Sequence, residues 1–441
     1  MRIRLTSLKG ETGRIRSGER CKSRIESTSL MKLLYASNLY PPAMGGAQLH
    51  LHCLAKAMRA AGNDATVVAH TCRHRTDWLR LSTVCTEPNR HFKYEGIPVW
   101  QLGFSPLTRI RILPWALCYY SLIGPAVRNI SHHALDALLS LEPPDIVHAV
   151  RNGREFLTRA ALDFARLKGT PFALTPVHHP RWDGWRYTEY DRIYRESDAL
   201  FVLTEAERRM LIEQKGVSEE KIHVTGVGPV LSREYDVDEF RTRFDIRSPF
   251  VLFVGQQFRY KGIGALLEAA QLVWRKHSDV DFVFIGPQTN YSKAIFSTAR
   301  DKRIRNLGEV DLASKTAALA CCEFLCLPSS QESFGGVYLE AWSLGKAVIG
   351  GRIPAIAELI TEGKDGLLSS QDPSELADAI SLLLTSPEQC RKMGNAGTRK
   401  VETRYTWEQI ARKTVQVYDG LIGKKRSMYE EPCETAGSRT S

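Results

Sequence analysis

CEFLCLPSSQESFGGVYLEAWSLGKAVIGG, residues 322–351, decides the fold. CEFLCLP is an apolar run of strand length, and Pro328 ends it. Gly335 and Gly336 open a helix that runs to about Leu344. KAVIGG then begins another strand. Strand, crossover helix and strand in this order read as one parallel βαβ unit.

The same alternation extends through both halves of the chain. From Met31, LLYAS is a strand, the Pro/Gly turn PPAMGG follows, and AQLHLHCLAKAMRAAG is a helix closing at Gly62. ATVVAH, DIVHAV, PFALTPV and DALFVL are further strands. LTEAERRMLIEQKG carries a capping-box signature, with Thr204 at the cap and Glu207 three residues on. From Gly226 to Pro249 the rhythm breaks into glycine, proline and charge. It restarts with FVLFVG, VDFVFIG, IRNLGEV and CEFLCLP.

The expected fold class is therefore α/β, with two tandem Rossmann-like doubly wound domains and a cleft between them. Residues 1–30 read as a disordered basic extension or a misplaced start. Residues 31–227 form the first domain, 228–249 the linker, 250–422 the second domain with its closing helices, and 423–441 a disordered tail. Ligands of such sheets bind beyond the carboxyl ends of the strands, so the cleft is the expected site.

Composition narrows the function. The 441 residues are 43% hydrophobic and 25% charged, with a formal net charge of +11. That length suits two globular domains. Part of the positive excess sits at the start, where Arg2, Arg4, Lys9, Arg14, Arg16, Arg20, Lys22 and Arg24 face only Glu11, Glu19 and Glu26. The acidic residues argue against a transit peptide. No helix-turn-helix, zinc-finger or RNA-recognition signature is present, so nucleic acid is not an expected partner. The ten cysteines show no metal spacing, and reduced thiols in a cytoplasmic protein are expected. Neither domain has G-x-G-x-x-G after its first strand, which argues against a dinucleotide dehydrogenase.

The glycine-rich helix start carries the chemistry. Unpaired N–H groups at Phe334, Gly335 and Gly336, together with the helix dipole, suit a diphosphate. Glu340 lies roughly 6 Å further along the helix at 1.5 Å per residue, where a carboxylate can accept hydrogen bonds from a ribose diol. Glu332 precedes the helix, on the side where a sugar attached to the phosphates would sit. Lys261 follows the strand FVLFVG and precedes a helix starting at Gly262, so its ammonium can aim into the cleft.

These residues resemble the donor-binding motif of the retaining glycosyltransferase family 4: Glu, seven residues, Glu, with Phe-Gly-Gly inside. LGKAVIGGRIPAIAELITEGKDGLL, YPPAMGGAQ and DALFVLTEAER are similar to that family too, and the resemblance spans Met31 to Ile422. It implies the GT-B fold and transfer of a sugar from a nucleotide-diphosphate sugar with retention. It makes Glu332 the residue at the donor sugar, Glu340 the ribose ligand, and Lys261 the cation on the diphosphate. Gly45 and Gly46 would approach the diphosphate and acceptor, and His178 or His179 would contact the donor sugar. The family places an arginine where this chain has Gln256, and Arg259 is the candidate substitute. No metal or other cofactor is expected.

The expected acceptor is a glycan or lipid-linked saccharide of envelope or exopolysaccharide biosynthesis. The alternatives are a GT-B-type sugar-nucleotide epimerase and a catalytically weakened sugar-nucleotide-binding protein. Residues 112–127 (ILPWALCYYSLIGPAV) carry no charge but are too short to span a bilayer. With Arg109 and Arg111 before them, and Trp115, Tyr119 and Tyr120 among them, they read as a buried helix or a peripheral membrane contact over 109–127. The expected location is cytoplasmic, at or near the inner face of the membrane.

Overall fold

The computed structural model describes residues 30–41, 45–71, 89–150, 155–178 and 182–430. Two sheets account for the alternation. The first contains β1 (Lys32–Leu39), β2 (Asp64–Thr71), β3 (Arg90–Tyr94), β4 (Ile97–Gln101), β5 (Ile146–Val150), β6 (Phe172–Thr175), β7 (Ala199–Val202) and β8 (Ile222–Val224). Their order is β3-β4-β2-β1-β5-β6-β7-β8. All pairs are parallel except β3–β4, a hairpin turned by Glu95 and Gly96 at φ of 44° and 81°. Positive φ at both turn residues matches the right-handed twist of the flanking strands.

The second sheet contains β9 (Phe250–Val254), β10 (Asp281–Ile285), β11 (Ile304–Gly308), β12 (Phe324–Leu327), β13 (Val348–Gly351) and β14 (Leu367–Ser369). It is wholly parallel in the order β11-β10-β9-β12-β13-β14. In each sheet the strand order reverses once, between β1 and β5 and between β9 and β12. Such switch points open a crevice beyond the strand ends.

Helices cover both faces of both sheets, as parallel strands buried on two sides require. The first sheet separates two apolar clusters, one around Val147, Leu174 and Leu200 and the other around Tyr35, Val67 and Phe201. The second unit has one core, built on Phe253, Phe284, Leu325 and Trp342.

Three boundaries differ from the sequence reading. The helix Trp407–Glu430 does not close the second domain but returns to the first, where Ile410, Ala411, Val415 and Tyr418 join the cluster around Tyr35. It also continues through 423–430, which had been assigned to the disordered tail. The segment 228–249 is more than a linker: it contains the helix Val237–Arg243, and Phe240 and Ile246 belong to the second core. The extension 1–29 lies outside the described residues.

The returning helix is held by polar bonds as well as packing. The Tyr418 hydroxyl lies 2.5 Å from His148 Nδ1, and Thr175 Oγ1 lies 2.8 Å from His148 Nε2. The Trp407 indole donates to Pro229 O at 2.9 Å, tying the two chain crossings together.

Burial lowers His50 and His70 to about 4 and His148 to about 3. Below about pH 6.5 the folded chain then binds fewer protons than the unfolded one. Stability present above that pH is lost as the pH falls, by up to about 1.4 kcal/mol per pH unit for each histidine. Thermal melts should fall steeply between about pH 7 and about pH 5, and replacing the three by neutral residues of similar size should flatten the slope. A slope unchanged by those substitutions would refute this origin.

Candidate donor site in the interdomain cleft

The site assembles at the switch point of the second sheet. After β12 the chain turns at Gly335, with φ of 85°, into the helix Gly336–Ser343. A Cβ at Gly335 would lie 2.6 Å from the Tyr338 ring and 2.9 Å from Ile356, so both conformation and space require glycine. No side chain caps this helix, which leaves its first N–H groups for a ligand. Tyr338 anchors it by donating to Leu327 O at 2.7 Å.

After β9 the chain makes the short turn Arg259–Lys261 and enters the helix Ile263–Val273. A Cβ at Gly262 (φ 79°) would meet Pro328 O at 2.7 Å. Gln371 clamps the two loops, donating at 2.8 Å to both Tyr260 O and Pro328 O. This packing brings Lys261 against Glu332, and the two nearly buried side chains form an ion pair.

Glu340 is 7% exposed and pairs with Lys315 at 2.8 Å. Lys315 also donates to Val230 O at 3.1 Å. Burial raises the Glu340 carboxyl above its ordinary value, and the Lys315 charge opposes the rise. Sequence reasoning missed both Lys315 and Gln371. Nothing in their local pattern separates them from solvated side chains.

Phe334 is buried edge-on against Tyr405. Val227 of the first crossing lies 3.8 Å from the Cβ position of Gly336. The helix start therefore abuts the segment that joins the units. Gln256 is half-buried, and Arg259 is exposed without an ion pair or hydrogen bond through its guanidinium among the described residues.

On the facing unit, Gly45 precedes the helix Gly46–Ala60, which likewise has no side-chain cap. Gly45 has extended backbone, where a Cβ would lie 2.6 Å from Gln48 Oε1, and nothing lies within 4 Å of a Cβ at Gly46. Burial raises the Cys53 thiol on this helix to about 11, and Glu340 and Lys315 of the other unit are among the smaller charge contributions. Arg209 pairs with Glu358, and Ala206 N donates to the same carboxylate at 3.0 Å, bridging the units.

His178 does not offer a free ring. Its Nδ1 lies 3.1 Å from the Tyr194 hydroxyl and its Nε2 3.2 Å from Asp183 Oδ1. Both nitrogens are thus engaged inside the first unit, against the expectation of a sugar contact. Asp183 is held in turn by the buried Lys215 at 2.7 Å. Glu207 accepts from His178 N at 2.8 Å and Leu203 N at 2.9 Å, while Thr204 caps the helix at Glu207 N. The capping box is therefore one-sided. His179 lies outside the described residues. Val177 packs on the cores of both units with φ of 44°, a costly conformation for a β-branched residue. Among the described residues, no group of three His, Cys, Asp or Glu side chains could hold a metal. Asp236 caps the helix Val237–Arg243.

Two family profiles match, one on each unit: "Glycosyl transferase 4-like domain" over residues 45–228 and "Glycosyl transferases group 1" over 248–386. The chain belongs to the glycosyl transferases group 1 family. It is a glycosyltransferase of the GT-B fold. It is 26% identical over 428 residues to the glycogen synthase of Mycobacterium tuberculosis, covering 91% of this chain and 97% of that protein. It is 27% identical over 403 residues to the phosphatidyl-myo-inositol mannosyltransferase of the same organism, covering 86% and 94%. Among solved structures, sucrose-phosphate synthase from Thermosynechococcus elongatus superposes with a TM-score of 0.69 at 19% identity, covering 89% of this chain and all of the other. Anabaena HepE in complex with UDP-glucose gives 0.64 at 17% identity, covering 90% and 100%.

If Glu340 accepts hydrogen bonds from both hydroxyls of a donor diol, its ionised form is the better acceptor. Lys315→Met removes the charge that restrains its pKa, so the acid limb of donor affinity should move to higher pH. Titration of nucleotide affinity against pH checks this. An unmoved limb would separate Glu340 from donor binding.

Proposed function

We propose that the chain moves a hexose from a nucleotide-diphosphate sugar to a saccharide acceptor, with retention of configuration and without a metal ion. The Lys261–Glu332 pair at the switch point carries this reading. A bound diphosphate competes for the Lys261 ammonium, and the helix start at Gly335 and Gly336 supplies N–H groups for the same oxygens. Release of Glu332 from Lys261 turns its carboxylate toward the sugar. Glu340 takes the ribose. The leaving diphosphate is thus stabilised by cation and helix dipole, the terms a metal would otherwise supply. HepE, whose structure holds UDP-glucose, supports a nucleotide sugar as the donor class.

Lys261→Ala should lower kcat/KM by roughly 100-fold or more, assayed with a panel of UDP-, GDP- and ADP-sugars in the presence of a chelator. Arg259→Ala should fall comparably if its guanidinium replaces the charge missing at Gln256. Wild-type turnover in Lys261→Ala would reject the assignment. Isomerisation of donor incubated alone would favour an epimerase, and nucleotide binding without turnover would favour a weakened enzyme.

The acceptor in this reading is lipid-linked and presented at a membrane surface. The helix Pro106–Leu117 buries Ile112 and Ala116, while Leu107, Ile110 and Leu117 are exposed on it, followed by Tyr120 and Leu122. Arg111 is exposed among them. The sequence left a buried helix and an interfacial one as alternatives, and this helix has one face of each kind. An apolar stripe with a basic rim suits the boundary of an anionic bilayer. The mannosyltransferase relative is named for a phosphatidyl-inositol acceptor. No helix among the described residues is long and apolar enough to cross a membrane.

Leu107→Ser with Ile110→Ser should weaken binding to anionic vesicles by roughly tenfold or more, measured by co-sedimentation. Undiminished vesicle binding would remove this surface from the proposal.

A further inference from the structure

A second charged feature lies outside the cleft. An open groove of about 1090 Å3 runs along β8, the last strand of the first sheet, where the returning helix Trp407–Glu430 passes it. Arg166, Arg208, Lys221, Lys413, Lys424 and Lys425 line it, against the carboxylates of Asp198, Glu205 and Glu220. None of these residues belongs to the donor site.

The carboxylates do not balance the cations. Asp198 is paired with Arg166 at 3.6 Å, and Arg208 is shared between Glu205 at 3.3 Å and Glu219. Six cations line the groove against three carboxylates, and Lys413 and Lys424 share one helix face, about three turns and roughly 16 Å apart, with Lys425 beside them. Between them Gly420 leaves the groove open, since nothing lies within 4 Å of a Cβ there. His223 is lowered by burial and then by Lys424. Lys425 is lowered by burial, while Asp198 raises it more than Arg166 lowers it. The floor, by contrast, is apolar, made by Ile222, Val224, Val417 and Leu421.

A cationic rim over an apolar floor selects a ligand with an anionic head and an organic body. We propose that this groove binds a phosphate ester, its phosphate held by Lys424, Lys425 and His223 and its organic part lying on the floor toward Lys413. The ligand bridges β8 to the helix that returns from the second unit. Both elements adjoin chain crossings, β8 leading into Gly226 and the helix starting at Trp407. Occupancy therefore fastens the returning helix and bears on how the units close.

The phosphate can come from a soluble ester or from a lipid headgroup, and two arms separate these sources. In the first, the full-length protein is titrated calorimetrically with glucose 6-phosphate. In the second, the Leu107→Ser, Ile110→Ser protein is sedimented with phosphatidylcholine vesicles, with and without phosphatidic acid. Binding is expected in one arm, and it should fall at least about tenfold in Lys424→Ala with Lys425→Ala. It should also weaken with added salt, and be unchanged in Lys261→Ala, whose lesion lies in the cleft.

Failure of both arms in the parent proteins overturns the proposal. So does binding that ignores the lysine pair, or binding that disappears in Lys261→Ala, which would assign the phosphate to the donor site. None of these readings requires turnover, so they stand apart from the fate of the proposed reaction.

Discussion

The return of the last helix onto the first sheet is the constraint on which the cleft depends. Two doubly wound units joined by one strand of chain could adopt many relative orientations. Here the chain crosses twice, through Gly226–Pro229 and through Tyr405–Trp407, and the Trp407 indole binds the first crossing at Pro229 O. Gly228 has no room for a side chain, because a Cβ would lie 2.6 Å from that indole. Tyr418, fully buried against His148, then fixes the helix on the opposite unit. Two crossings restrict the relative motion of the units more than a single one would.

Within the cleft the charges are arranged as exchangeable pairs. Lys261 with Glu332 and Lys315 with Glu340 each match one cation with one carboxylate in partly or wholly buried surroundings. An isolated buried charge would be costly, and pairing offsets that cost. A ligand that offers an anion can exchange with the carboxylate of such a pair. In the reaction proposed above, a diphosphate would take the place of Glu332 at Lys261, and a neutral diol would hydrogen-bond Glu340 while Lys315 stays beside it. The Arg209–Glu358 bridge between the units works on the same principle at the rim, where exposure makes it weaker.

The sequence displayed the parallel sheets clearly because strands buried on both faces read as continuous apolar runs, as in FVLFV and FLCL. The donor helix was legible for a related reason: Gly335 occupies a backbone conformation that only glycine adopts cheaply, so the residue type announces the turn. The hairpin β3–β4 was not legible, since Glu95–Gly96 is a weaker turn signal than Asn-Gly. The destination of the last helix was also hidden. Amphipathic spacing shows that one face is buried but not against which partner. The same limit applied to His178. Its position at a strand's carboxyl end was readable, whereas its partners, Tyr194 and Asp183, arrive from the following turn and helix.

The returning helix also has a meaning for synthesis. The cluster around Tyr35, Val67 and Phe201 receives Ile410, Val415 and Tyr418 only when the far end of the chain has been made. Domains ordinarily fold as units in the order they leave the ribosome. This first unit cannot do so completely. Its sheet emerges with one apolar flank covered only in part, by the helix Gly46–Ala60, and waits through the production of the entire second unit. A nascent chain of this design therefore carries a long-lived sticky surface, and the enzyme's yield in a cell is coupled to whatever shields that surface until the last helix arrives.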